Sequence, residues 1–375
     1  MKIVIAPDSF KESLTALEVA QAIEQGFKAV FPKAEYVKVP MADGGEGTVQ
    51  SLVDALDGEL IELEVQGPLN NPVKAFYGWV ANKQLAIIEM ASASGLHHVP
   101  RAERNPYYTT SFGTGQLIVH ALEQGAQHII LGLGGSATND AGAGMLQALG
   151  FQLLDGQHQS LALGGLALQQ LAHIQQDTVH PALAKCQIAV ACDVDNPLCG
   201  ERGASAIFGP QKGATAEQVQ QLDHALSHFA QITQQHHFAD HKNTAGAGAA
   251  GGMGFAALAL LKASLQPGIQ IVIEHTQLAK HLADADLVIT GEGRIDAQTL
   301  YGKTPMGVAK LAKTSNKAVI AFAGSLSTDI DLLYPYMDAI FSITPGVVSL
   351  EQALEAAAIN LEITARNVAA SLKLI

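Results

Sequence analysis

Residues 129–146 read I-I-L-G-L-G-G-S-A-T-N-D-A-G-A-G-M-L. An apolar run stops at a glycine-dense turn, and a stretch of small, helix-compatible residues follows. A strand, a tight loop and a helix in that order return the chain along the sheet, so the next strand lies parallel to the first. The turn itself carries Ser136, Thr138, Asn139 and Asp140. Gly134 and Gly135 lack a Cβ, which lets a ligand approach the backbone. N–H groups at a following helix start can hold an anion. The segment is therefore expected to be a site for something phosphorylated or carboxylated.

The same grammar recurs at both ends of the chain. Residues 2–6 form a short apolar run, and Thr15-Ala-Leu-Glu18 fits a capping box. Ala16, Ala20, Ile23, Phe27 and Val30 then mark one helical face. A strand at 36–39, a loop at 41–48 and a helix to residue 55 follow. Near the C-terminus, strands are expected at 286–290, 318–323 and 339–343, with a helix over 304–312. Leu350, Leu354, Ala357, Leu361, Ala365, Val368 and Leu372 line one face of a closing helix. The middle reads differently. Residues 73–81 and 85–89 form an antiparallel pair around Asn82-Lys83, and Gly-rich loops and Gln/His-rich helices come after. The expected fold is α/β with two α/β domains. Residues 1–71 and 274–375 build a Rossmann-like parallel-sheet domain, residues 72–273 are an inserted α/β domain, and a ligand cleft lies between them. The alternative is two consecutive domains divided near Gly200.

Composition narrows the function classes. With 375 residues, 48% hydrophobic and 15% charged, the chain can bury a sizeable core. Its 22 basic and 35 acidic residues give −13, with no Lys/Arg block, which disfavours a nucleic-acid partner. Cys186, Cys192 and Cys199 are odd in number and form no C-x-x-C, as expected of a reduced, cytoplasmic protein. The apolar run before Pro7 is too short for a signal sequence. The uncharged stretch 243–261 is crowded with glycine and reads as a loop entering a buried helix, so no membrane partner is expected. His224 and His228 stand one helical turn apart, but their Gln-rich surroundings fit a solvated helix. The oligomeric state is not fixed by the sequence.

Four further loops carry chemistry. Residues 6–13, A-P-D-S-F-K-E-S, place Asp8 and Lys11 directly after the first strand, where α/β sheets bind ligands. Residues 43–48 set Asp43 and Glu46 between glycines, a pattern able to hold Mg²⁺ or hydroxyl groups. Asp193 and Asp195 lie one residue apart at a strand end and suit Mg²⁺ or general-base duty. That D-x-D is similar to the haloacid-dehalogenase phosphatases, although Asn196-Pro197 replace the usual Gly-Thr. A Mg²⁺-dependent phosphatase with Asp193 as nucleophile is one alternative function, and a non-catalytic metabolite sensor is another. Residues 290–299, T-G-E-G-R-I-D-A-Q-T, offer Arg294 as a planar fork for carboxylate or phosphate and Asp296 as a candidate base. Residues 297–304 fall one glycine short of a P-loop, yet Lys303 can meet a phosphate as a point charge.

Together these motifs resemble the type 1 glycerate kinase family over almost the whole length. The markers are P-D-S-F-K-x-S-L at 7–14, A-D-G-G-E-G-T at 42–48, A-S-A-S-G-L at 91–96 and S-F-G-T-G at 111–115. G-L-G-G-S-A-T-N-D at 132–140, C-D-V-D-N-P-L at 192–198, F-G-P-Q-K-G-A at 208–214 and T-G-E-G-R-I-D-x-Q-T at 290–299 complete the set. Glu12 departs from the pattern, since the family often has glycine there. The resemblance implies transfer of the ATP γ-phosphate to a hydroxyl of D-glycerate with Mg²⁺, 2-phosphoglycerate being the usual product. Residue chemistry then distributes the roles. Lys11, Lys303 and the loop with Gly134, Gly135, Ser136 and Thr138 answer phosphate charge. Asp193 and Asp195 serve the metal. Asp193 or Asp296 takes the hydroxyl proton. Arg294 holds the acid's carboxylate, and Asp8 and Asp43 its hydroxyls.

Overall fold

The computed structural model describes residues 1–374. The chain divides into two compact units: Met1–Asp43, Gln50–Gly58 and the chain from Pro267 onward in the first, Gly44–Val49 and Glu59–Gln266 in the second.

The first unit is built on a five-stranded sheet. Its order is Ala339–Ser342, Ala318–Leu326, Leu287–Ile295, Lys2–Ile5, Glu35–Lys38, and every neighbouring pair is parallel. Ile3, Val4 and Ile5 are fully buried, as a strand covered on both faces must be. Thr15 starts the helix Ala16–Lys28 with the expected capping box. Its hydroxyl accepts from Glu18 N at 3.2 Å, and the Glu18 carboxylate accepts from Thr15 N at 2.8 Å. That helix buries Val19, Ala20, Ile23 and Phe27 and packs on the helix Ala357–Leu372. Gly26 permits the approach, because a Cβ there would lie 2.4 Å from the Glu362 carbonyl oxygen.

One expectation is corrected at the C-terminus. The closing helix is two helices, Leu350–Glu355 and Ala357–Leu372, separated at Ala356 with φ −90° and ψ 5°. Leu361, Ala365 and Val368 are buried as read from the sequence, whereas Leu350, on the short leading helix, is exposed. Glu12 takes φ 64°, in the left-handed region that favours glycine.

The second unit holds a six-stranded mixed sheet. Its order is Ser264–Gln266, Gln187–Ala191, His128–Gly132, Leu85–Glu89, Pro72–Val80, Glu59–Gln66. The first four run parallel to one another. The last two strands join through antiparallel pairs, including the expected hairpin of Pro72–Val80 with Leu85–Glu89. The helix Ala216–Gln235 buries Leu222, Leu226, Phe229 and Ile232. His224 is exposed, and the His228 ring lies 2.7 Å from the Leu171 carbonyl. Among the described residues no group of three His, Cys, Asp or Glu side chains is placed to hold a metal ion, and no helix is long and apolar enough to cross a membrane.

Candidate active site

The parallel sheet of the first unit has one switch point. From Lys2–Ile5 the chain proceeds to Glu35–Lys38 on one side, and from Leu287–Ile295 to Ala318–Leu326 on the other. Ligands of open α/β sheets bind outside the carboxyl ends of strands at such a point. Here the loop after Lys2–Ile5 is strapped to the longer strand. Ala6 N donates to Ile289 O at 2.7 Å, Asp8 N to Gly291 O at 2.8 Å, and Thr290 Oγ1 to Ala6 O at 2.8 Å. Residues 8–13 are thereby held beside residues 292–296.

A cavity of about 560 Å³ lies at this place, and its polar lining includes Asp8, Lys11, Asp43, Glu292, Arg294 and Lys303. Five residues singled out from the sequence are thus brought together, and a sixth, Asp296, reaches the group through ion pairs. Asp296 Oδ2 is 3.3 Å from Arg294 Nε, and Oδ1 is 3.9 Å from Lys303 Nζ. Asp296 also caps the turn Ala297–Tyr301, accepting from Gln298 N at 2.9 Å.

Asp8 is buried and firmly held. Oδ1 accepts from Ser9 N at 2.7 Å, and Oδ2 accepts from the Thr304 hydroxyl at 2.5 Å. Burial, helped by the charge of Asp43, pushes its carboxyl up to about 6 against the lowering effect of the Thr304 and Ser9 hydrogen bonds. Glu292, which the sequence reading passed over, is a second strongly perturbed carboxylate of the cavity. Its Oε1 accepts from the Thr299 hydroxyl at 2.6 Å, and its Oε2 lies 3.6 Å from Lys303 Nζ. Burial pushes the Glu292 carboxyl up to about 7. The Thr299 hydroxyl and Lys303 pull down, while Asp8 and Asp296 add to the rise. Strand alternation puts Glu292 and Arg294 on one face of Leu287–Ile295.

The other sequence candidates lie in the second unit. Gly134 and Gly135 are exposed and line a separate cavity of about 490 Å³ with Glu46, Glu89, His97 and His98. Gly135 has φ 70°. Ser136 and Thr138 turn inward, to a buried lysine. Lys212 Nζ donates to Ser136 Oγ at 2.7 Å and to Thr138 O at 2.6 Å. Burial pushes this ammonium down to about 7, with the charge of Asp140 opposing. Thr138 Oγ1 and Asn139 Oδ1 are buried without a hydrogen-bond partner.

The donors expected at the helix start are already engaged. Asp140 accepts from Gly142 N at 3.1 Å and Gly144 N at 3.3 Å, as well as from Ser111 N and Oγ, and Met145 N donates to Ser111 Oγ at 3.0 Å. The helix Ala143–Ala148 therefore presents little to an anion; the exposed backbone is that of Gly134 and Gly135. Asp193 and Asp195 follow the strand Gln187–Ala191 and are exposed, with both Asp195 oxygens within 2.9 Å of Arg202 Nη2. Lys212 sits in F-G-P-Q-K-G-A, a motif visible in the sequence; its burial is not.

Comparison with known proteins adds an independent line. A model of the glycerate kinase family matches residues 3–373. The chain is 57% identical to the glycerate kinase of Bacillus subtilis (strain 168), covering 100% of this chain and 98% of that one. It is 51% identical to the glycerate 2-kinase of Escherichia coli (strain K12), covering 99% and 98%. The crystal structure of a proposed glycerate kinase 2 from Salmonella typhimurium LT2 is similar at a TM-score of 0.93 and 55% identity, covering 100% and 98%.

Proposed function

The chain belongs to the glycerate kinase family, and we propose on that basis that it transfers the γ-phosphate of ATP to a hydroxyl of D-glycerate, giving 2-phosphoglycerate, in the cytoplasm. The observation that carries this reading is the composition of the 560 Å³ cavity, where three cationic side chains stand among buried carboxylates at the sheet's switch point. Phosphoryl transfer needs charge neutralisation, in-line positioning and an acceptor for the alcohol proton. Lys11 and Lys303 supply point charges for phosphate oxygens. Arg294 offers two parallel N–H groups to the glycerate carboxylate. Asp8 and Asp43 accept from its hydroxyls. The loop with Gly134, Gly135, Ser136 and Thr138 is assigned to nucleotide phosphates, with exposed glycine backbone toward the ligand and Lys212 behind it.

Mg²⁺ is part of the proposal. Asp193 and Asp195, two exposed carboxylates one residue apart, would hold it, with Asp195 exchanging its Arg202 partner for the ion, and the described residues form no group of three His, Cys, Asp or Glu side chains placed to hold a metal ion. That donor set fits a metal carried largely on substrate phosphates, the usual Mg²⁺ arrangement. When bound, such an ion would supply positive charge against the phosphate oxygens.

The test is incubation of purified protein with ATP, Mg²⁺ and D-glycerate. ADP and phosphoglycerate should appear by mass spectrometry, and the phosphorus–proton coupling pattern should place the phosphate on the 2-hydroxyl. No turnover across a panel of small hydroxy acids would remove the kinase reading. Phosphate release from phospho-esters without ATP would favour the phosphatase, and ligand-induced thermal stabilisation without product would favour the sensor.

A further inference from the structure

We propose that Glu292 is the proton acceptor of the transfer: its carboxylate takes the proton of the glycerate hydroxyl as that oxygen attacks the γ-phosphorus. The inference rests on the kinase reading and supplies a group that reading had sought in Asp193 or Asp296.

Glu292 lines the cavity from the carboxyl-terminal end of a central strand, on the same face as Arg294, the residue assigned to the acceptor's carboxylate. A base must sit within hydrogen-bond reach of the hydroxyl it serves. Two neighbouring carboxylates, Asp8 and Asp296, already have a partner on each oxygen. Asp8 accepts on both oxygens, from Ser9 N and from Thr304 Oγ1. Asp296 caps its turn with one oxygen and meets Arg294 with the other. Glu292 gives Oε1 to the Thr299 hydroxyl, while Lys303 stands 3.6 Å from Oε2, beyond normal hydrogen-bond length. Oε2 therefore keeps acceptor capacity beside a cation.

Proton affinity agrees with the geometry. The groups facing Glu292 are Lys303 and Thr299, which favour its anion, and Asp8 and Asp296, which oppose it; burial, joined by the two aspartates, outweighs Thr299 and Lys303 and holds the carboxyl near 7. Asp43 and Lys11 act at one remove, through Asp8. A carboxylate of this affinity accepts a proton at neutral pH far more readily than an ordinary one.

The step balances. The hydroxyl oxygen forms a bond to the γ-phosphorus, and the bridging P–O bond breaks with its electron pair leaving on ADP. The hydroxyl proton passes to Glu292, which becomes neutral and later releases it to water. Lys303 then faces one carboxylate fewer and turns its charge to the phosphate.

A merely structural Glu292 would pin the turn at Thr299 and nothing more, so the decisive readout is the pH profile. Wild type, Glu292→Gln and Glu292→Asp are compared from pH 5 to 9 with ATP, Mg²⁺ and D-glycerate. Wild-type kcat/KM should fall on the acid side of about 7. Glu292→Gln should lose kcat by roughly 10²–10⁴-fold, with KM values within a few-fold and the acid limb gone. Glu292→Asp should keep an acid limb, displaced, with kcat reduced more than about tenfold; it decides the matter if the glutamine variant does not fold. A wild type that turns over while the folded Glu292→Gln keeps kcat within about threefold, or keeps the wild-type acid limb, overturns the assignment alone. So does an aspartate variant with unchanged kcat and limb. A wild type with no turnover refutes the kinase reading and the assignment with it.

Discussion

Replacing Glu292 by glutamine should change stability in a way that depends on pH. The folded protein holds this carboxyl near 7 against an ordinary value of 4.5. A group raised in the folded state contributes stability that is complete below its unfolded value and is lost as pH climbs through its folded value. Between pH 4.5 and 7 the wild type therefore gives up the advantage of a neutral, buried Glu292. At about 1.4 kcal/mol per tenfold in affinity, the full difference is about 3 kcal/mol, most of it falling between pH 5 and 8. Glutamine keeps the shape of the protonated acid and can still accept from Thr299, so it stays neutral throughout. Urea denaturation of both proteins at pH 5 and pH 8, followed by circular dichroism, measures the difference. The two should be nearly equal at pH 5, and Glu292→Gln should be more stable by about 2–3 kcal/mol at pH 8. Asp8, also held up, titrates in both proteins and largely cancels. Equal pH responses would refute the claim that Glu292 is a desolvated acid.

Two other outcomes follow from the same cavity. Lys303→Met removes a cation that lowers the Glu292 carboxyl, so the acid limb of kcat/KM should move to higher pH while KM for ATP rises; a limb that stays put would break the link between Lys303 and Glu292. Glu12→Gly relieves a left-handed residue and costs some unfolded-chain entropy, for a net gain of about 0.5–1 kcal/mol in urea melts, and a loss of stability would contradict it.

Much of this is legible in the sequence alone. The Thr15–Glu18 box, the apolar runs at both ends and the antiparallel pair read at 73–81 and 85–89 follow from local rules, and the structure begins each of them within a residue of that reading. The loop residues of the first cavity were legible too, because Asp, Lys and Arg directly after strands have few purely local uses. What escaped depended on neighbours distant in sequence. Glu292 looked like one more residue between glycines, and its affinity is set by Asp8, Thr299 and Lys303. The helix start after residue 140 read as an anion site because nothing in the local pattern announces that Asp140 and Ser111 take its donors. The break at Ala356 was hidden by an apolar spacing that continues across it.

The strand Lys2–Ile5 is made first, yet it lies between Glu35–Lys38 and Leu287–Ile295. On the ribosome it can pair with one neighbour early, but the other emerges some 280 residues later. The second sheet, drawn wholly from residues 59–266, is complete before that happens. The buried carboxylates of the first sheet thus come together only near the end of translation, which spares the nascent chain from bringing Asp8 and Glu292 into one dry pocket until Lys303 and Thr304 exist to receive them.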